Sequence, residues 1–369
     1  MFRSLQKDPS LASFDEWKNA GDFAKDMRFF PHALACYQRA LELTPKDEVV
    51  LNKTNDMVDR ITNVLEFVPE RIKPAIEDIR LSNPLDPGKW LVITNNVLKE
   101  VSDALAAGEI NEPDLDAAKF ALAFTAYCSL RSGNDVGPIN DVLVDLLEPV
   151  NLSTWTPKKI DLKTLAEKKG DDPIKAVTLG DNISLGLQPD WEIKFQETYA
   201  FLWAKETEHG ISLANNGISG AGVMDLALYL GRDVMNFKPD LVTIMLGNND
   251  VWLGEQVLPA YEALLEVNIK RLIQEGTEVA LVCPIPHIPS ECPEDQRPTS
   301  IDLKEAEIKP YVEACKRVAA RLDCSLVDAT DKFPEGENQR KAYFVNGFNQ
   351  PNLDGQNLIK QAMLEMSII

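Results

Sequence analysis

The chain has 369 residues, 44% of them hydrophobic and 26% charged. That balance excludes global disorder and collagen-like repetition, and the length suggests about two to three domains. Lys and Arg total 38 against 58 Asp and Glu, a formal charge of -20 that repels phosphate backbones and anionic headgroups, so neither nucleic acid nor a membrane is an expected partner.

Charges interrupt every apolar run before it reaches the length of a membrane span, and Met1 to Pro9 lack the apolar core of a secretory signal. The six cysteines (Cys36, Cys128, Cys283, Cys292, Cys315 and Cys324) are scattered without a Cys-x-x-Cys pair. The expected setting is therefore a reducing cytoplasm, with no disulfide framework. The three histidines, His32, His209 and His287, lie far apart in sequence. No metal and no cofactor is expected.

The chain opens with helices. From Phe14 to Lys46, apolar and small residues recur at helical spacing. Trp17, Gly21, Ala33, Tyr37, Ala40 and Pro45 stand at the offsets of one tetratricopeptide-like repeat, a helix–turn–helix of about 34 residues. Gly21 and Ala33 are small where the helices meet, Trp17 and Tyr37 fill the space between them, and Pro45 ends the second helix. A third helix over 49–64 carries no second copy of the signature. Residues 66–146 read as further helices, including 88–107 and 114–131, either degenerate repeats or an unrelated bundle. If the array continues, Lys18, Asp22 and Lys25 face its concave groove; otherwise they form a solvated charged face.

We divide the chain into an all-α, tetratricopeptide-like domain over 1–150, a polar, Lys-rich linker or covering segment over 151–173, and an α/β domain over 174–369. In the last, short branched runs at 176–179, 211–214, 241–246, 279–282 and 325–327 alternate with helical patterns at 191–209, 223–234, 258–274, 303–322 and 353–366. Strict alternation predicts a parallel sheet covered on both faces, with ligands beyond the carboxyl ends of the strands.

Those ends carry the distinctive residues. They are Gly180-Asp181-Asn182-Ile183-Ser184-Leu185-Gly186, Asn215-Asn216-Gly217-Ile218-Ser219-Gly220-Ala221-Gly222, Gly247-Asn248-Asn249-Asp250, and a late segment from Asn346 to Gly355. In this order and spacing, residues 174–369 resemble the SGNH, or GDSL, hydrolases. The resemblance implies a flavodoxin-like three-layer sheet and an esterase ancestry. It also implies a serine nucleophile in Gly-Asp-Ser, a glycine amide and an asparagine as oxyanion donors, and an Asp-x-x-His pair near the end. The hydroxyl attacks an ester carbonyl only if a histidine takes its proton, and preorganised donors hold the oxyanion.

This sequence keeps the donors, matched by Gly220 and Asn249, and the acids Asp181 and Asp250. It lacks the triad. Asn182 stands where the serine should be, and the acid and base positions are Asn346 and Asn349 in one register or Gly347 and Gln350 in the other. Ser184, His287 and Asp181 are secondary candidates for a rebuilt site, and Asp354 a remote one. Ser184 also reads as a helix cap, His287 as loop decoration and Cys283 as buried; His209 falls at the opposite end of the sheet.

The amides of Asn182, Gly220 and Asn249 either satisfy one another and close the site, or leave a polar pocket for a small acyl or carbohydrate ligand. The expected function is a catalytically inactive SGNH-like component acting through structure, interaction or ligand binding. The helical half would dock a protein partner, self-association included. The alternative is an active esterase with a noncanonical site.

Overall fold

The computed structural model describes residues 13–26, 30–65, 87–108, 112–131, 134–186, 193–292, 307–345 and 348–369. They fall into two compact units, Met1–Leu147 and Glu148–Ile369.

The first unit is helical: Phe14–Asp26, Phe30–Leu43, Glu48–Leu65, Pro87–Ala106, Glu112–Arg131 and Gly137–Leu146. Ser13 and Glu16 start the first helix with a reciprocal box, Glu16 Oε2 accepting from Ser13 N at 2.7 Å and Ser13 Oγ accepting from Glu16 N at 3.3 Å. Trp17, Ala20 and Ala24 are buried on one side of this helix, and Ala33, Tyr37 and Ala40 on the next. A Cβ at Gly21 would lie 2.5 Å from the Tyr37 ring, so the close approach of the pair requires glycine there.

The three charged residues assigned to a groove are ion-paired within the unit. Asp22 accepts from Lys18 at 3.1 Å, from Tyr37 OH at 2.8 Å and from Lys53, and Lys25 pairs with Asp56 at 3.4 Å. The helix Glu112–Arg131 is buried continuously over residues 118–129, which places it at the centre of its neighbours.

The second unit is a parallel α/β sandwich. Its strands are β1 (Ile160–Asp161), β2 (Ile174–Gly180), β3 (Ile211–Gly217), β4 (Leu241–Met245), β5 (Glu278–Val282), β6 (Ser325–Val327) and β7 (Ser367–Ile368). The five-stranded sheet has the order β3-β2-β4-β5-β6 with every pair parallel, the flavodoxin-like arrangement. β4 is buried along its whole length and β2 at all but one residue, as near-continuous apolar strands covered on both faces should be.

Two expected helices are shortened, and residues 158–169 pack on the second unit, as in the covering alternative. Leu326 N donates to Lys158 O at 3.2 Å, β1 pairs with β7, and the helix Leu162–Lys169 buries Leu162 and Leu165 in the sheet's core. The helix expected over 191–209 is shorter: a 3-10 turn at Phe195–Glu197 stops at extended Thr198, and the α-helix runs Tyr199–Glu206. The helix expected from 303 is Lys309–Leu322, with Pro310 in its first turn; residues 303–306 lie outside the described residues.

The helices Leu258–Gln274 and Lys309–Leu322 are joined by buried charges. Arg321 reaches Glu262 at 2.6 Å and Glu266 at 2.5 Å, and Arg317 reaches Glu262 at 2.6 Å. Glu262 and Glu266 are 4% and 5% exposed, so truncating a partner removes compensation in a low-dielectric setting. Arg321→Ala is expected to destabilise this unit by about 3–5 kcal/mol in a denaturant melt of the full chain. A loss below about 1 kcal/mol would contradict that reading.

Candidate functional site

The carboxyl ends of β2, β3 and β4 meet where the connections leaving β2 and β4 run to opposite sides of the sheet, the place such folds use for ligands. Immediately after β2 the chain turns into the short helix Asn182–Leu185. Asp181 caps it, Oδ1 accepting from Ile183 N at 2.9 Å. Its Oδ2 accepts from Asn248 Nδ2 at 3.1 Å, and Asn248 Oδ1 accepts from Ile285 N at 3.0 Å. The Ile285 N–H thereby fixes the orientation of the Asn248 amide, which bridges the ends of β2, β4 and β5.

Asp181 is 1% exposed. Burial, with the Asp250 charge adding to it, pushes its carboxyl up to about 7 despite these hydrogen bonds.

The short helix lies directly on β3. A Cβ at Gly217 would come within 2.4 Å of Leu185 N, so only glycine fits. Asn215, still within β3, donates to Ser184 O at 2.7 Å and accepts from Gly217 N at 2.8 Å. These internal bonds explain why the strand runs past the apolar stretch visible in the sequence. From the carboxyl-terminal helix Leu353–Glu365, Gln356 accepts from Tyr199 N at 2.8 Å and donates to Ile183 O at 3.2 Å.

On this frame Asn182 Oδ1 accepts the Gly220 backbone N–H. Asn249 Nδ2 donates to Ala221 O at 2.9 Å. Two of the three expected donors thus make hydrogen bonds inside the protein, and the acceptor on Gly220 is the Asn182 side chain. Asp250 is buried and accepts from Val223 N at 3.1 Å, supporting the start of the helix Val223–Asp233.

Of the secondary candidates, Asp181 belongs to this frame, while Ser184 and His287 are enclosed by other groups. Ser184 does not cap the helix, since Asp181 does; it is fully buried, and its Oγ shares a hydrogen bond with Tyr199 OH at 2.9 Å. Thr243 and Thr178, paired in register, add a 2.8 Å hydroxyl contact. His287 is 7% exposed, packed on Trp252 with ring centroids 5.1 Å apart, and its carbonyl accepts from Arg340 at 3.0 Å. Phe348 closes the cluster at 5.4 Å from Trp252.

Cys283 is buried after β5, and His209 precedes β3 at the opposite end of the sheet. Gln350 is 2% exposed, Asn349 is half-buried, and Asp354 is exposed; Asn346 and Gly347 lie outside the described residues. Asn352 caps the last helix, accepting from Gly355 N at 3.0 Å. Among the described residues no group of three His, Cys, Asp or Glu side chains could hold a metal, and no helix is long and apolar enough to cross a membrane.

Sequence reasoning gave no role to Asn248, Asn215, Tyr199, Gln356 or Trp252. Asn248 and Asn215 lie inside the strand-end segments at positions without an assigned role, and the other three carry no motif.

The profile of the GDSL-like Lipase/Acylhydrolase family matches residues 178–358. Over 51 residues the chain is 51% identical to an acetylxylan esterase of Geobacillus stearothermophilus; that stretch is 14% of this chain and spans only 23% of the relative. Among solved structures, Axe2, an acetylxylan esterase from Geobacillus stearothermophilus, aligns with a TM-score of 0.41 at 22% identity, covering 54% of this chain and 95% of that one. LAE5, an α/β hydrolase enzyme from the metagenome of Lake Arreo, Spain, aligns with a TM-score of 0.40 at 28% identity, covering 52% of this chain and 94% of that one.

The raised Asp181 carboxyl predicts a pH dependence. The folded state holds the proton more tightly than the unfolded chain, so stability falls as pH rises from about 4 to about 7. Asp181→Asn should remove this slope, worth on the order of a few kcal/mol across the window. Chemical denaturation at several pH values checks it; equal slopes in the two proteins would contradict the assignment.

Proposed function

With residues 178–358 carrying a GDSL-like lipase/acylhydrolase domain, we propose that the protein is a catalytically inactive form of that hydrolase. It acts as a structural, interaction or ligand-binding component, and its helical half docks a protein partner. The observation that carries this reading is the Asn182 carboxamide, in the place of the nucleophile, accepting the Gly220 N–H. An amide is not a nucleophile at neutral pH, and here its oxygen takes a donor that would otherwise stabilise an oxyanion.

The loss extends to the base. The cap made by Asn352 on Gly355 supports the register that puts Gln350 at the family's histidine position, and neither Gln350 nor Asn349 can relay a proton. An esterase with a rebuilt site gains no support from Ser184, enclosed with Tyr199, or from His287, packed among aromatic rings.

A cytoplasmic setting suits six buried free thiols. The docking role of the helical half, and its kinship with tetratricopeptide repeats, rest on the Gly21–Tyr37 packing and on exposed apolar side chains such as Leu43, Val49 and Val144. Docking through the face of Lys18, Asp22 and Lys25 would require breaking their ion pairs.

Incubation of the full chain with a serine-directed fluorophosphonate is expected to give no adduct. Hydrolysis of nitrophenyl acetate should equal the buffer rate and stay unchanged in Ser184→Ala and His287→Ala. Turnover abolished by either substitution would overturn the inactive reading. For the helical half, crosslinks to a cellular partner should map to residues 14–146 and weaken in Leu43→Asp; crosslinks confined to 148–369 would contradict docking there.

A further inference from the structure

We propose that Asn182 and Asn249, at the ends of β2 and β4, together select an uncharged ligand bearing an acceptor and a donor, an amide or a hydroxyl-rich molecule, and discriminate against carboxylates. This rests on the reading of the domain as an inactive, ligand-binding hydrolase relative and names its ligand class.

Both amides have their orientation set by backbone partners. Because Asn182 Oδ1 accepts from Gly220 N, its Nδ2 is the atom left to face a ligand. Because Asn249 Nδ2 donates to Ala221 O, its Oδ1 is left as an acceptor. Neither Asn182 Nδ2 nor Asn249 Oδ1 has a hydrogen-bond partner among the described residues, and both side chains are half-buried. The two residues follow β2 and β4, which are neighbours in the sheet.

The resulting set is mixed, a donor on one side and an acceptor on the other. A carboxylate is acceptor-only. It would leave Asn249 Oδ1 facing a lone pair, and it finds the Gly220 N–H already taken. Buried Asp250 lies next to Asn249 in a chain of formal charge -20, so anions meet an unfavourable field as well. A carbonyl or hydroxyl oxygen serves Asn182 Nδ2, while an N–H or O–H on the same molecule serves Asn249 Oδ1.

Acetamide and acetate are nearly identical in shape and differ in charge and donor capacity, so ligand-observed NMR titration of the full chain with each separates the terms. Acetamide is expected to bind at least about tenfold more tightly than acetate. Asn249→Ala should weaken acetamide by about tenfold, and Asn182→Ala, by freeing the Gly220 N–H, should strengthen acetate binding. Acetate binding the unmodified protein as well as acetamide does would overturn the proposal. So would acetamide binding unchanged in both variants, or binding of neither probe. Nitrophenyl acetate turnover on the same sample keeps the two readings apart. Turnover defeats the inactive reading itself, whereas a silent protein that binds neither probe defeats only the ligand class.

Discussion

The hydrogen bond from the Gly220 N–H to the Asn182 carboxamide sets the character of the α/β unit. A serine hydroxyl at that position would be a reactive group beside an empty donor. A carboxamide extends one atom further, brings its own carbonyl oxygen, and fills the donor from within. The backbone amide of Gly220 is thereby satisfied by a side chain of the protein itself. The bond is precise because its frame is rigid: Gly217 lets the short helix settle on β3, Asp181 caps that helix, and Asn248 and Gln356 hold it to β5 and to the last helix.

This frame gives the acidic residues of these segments a structural duty. Asp181 and Asp250 look catalytic in a motif, yet each satisfies the amide at the start of a helix. Losing either leaves an orphan N–H in a buried place, a cost of about 1–3 kcal/mol that is independent of turnover. Asn249 likewise closes on a carbonyl at 2.9 Å. Asn182 is also committed, to the Gly220 amide, and Gln350 is buried beside the last helix. The hydroxyls of Thr178, Thr243, Ser184 and Tyr199 belong to the same class: a buried, mutually bonded set that steadies the sheet's end.

Much of this was legible in the chain. Branched runs such as Leu241 to Leu246 predicted the parallel sheet, and the Gly-Asp-Asn and Gly-Asn-Asn-Asp segments fall at the carboxyl ends of β2 and β4. What stayed hidden were contacts between residues distant in sequence. Ser184 read as a cap because nothing local reveals Tyr199 fifteen residues on. Lys158 and Lys159 read as linker or covering segment because their pairing with β6 and the chain's end spans more than 150 residues. Asn215 and Asn216 read as the end of a strand because polar letters break an apolar run; their backbone stays in the ladder, and Asn215 makes its side-chain bonds internally. The orientation of the Asn182 amide has no sequence signature, since periodicity reports burial and not which atom of an amide meets which donor.

The most direct test of the central claim is the state of the Gly220 amide in solution, read from its NMR hydrogen-exchange protection and from scalar coupling across the hydrogen bond to the Asn182 side-chain carbonyl carbon. The account predicts a protected amide with a detectable coupling, both lost in Asn182→Ala while Ile183 keeps its own protection from Asp181. A freely exchanging Gly220 amide in the unmodified protein, with no coupling to Asn182, would contradict it.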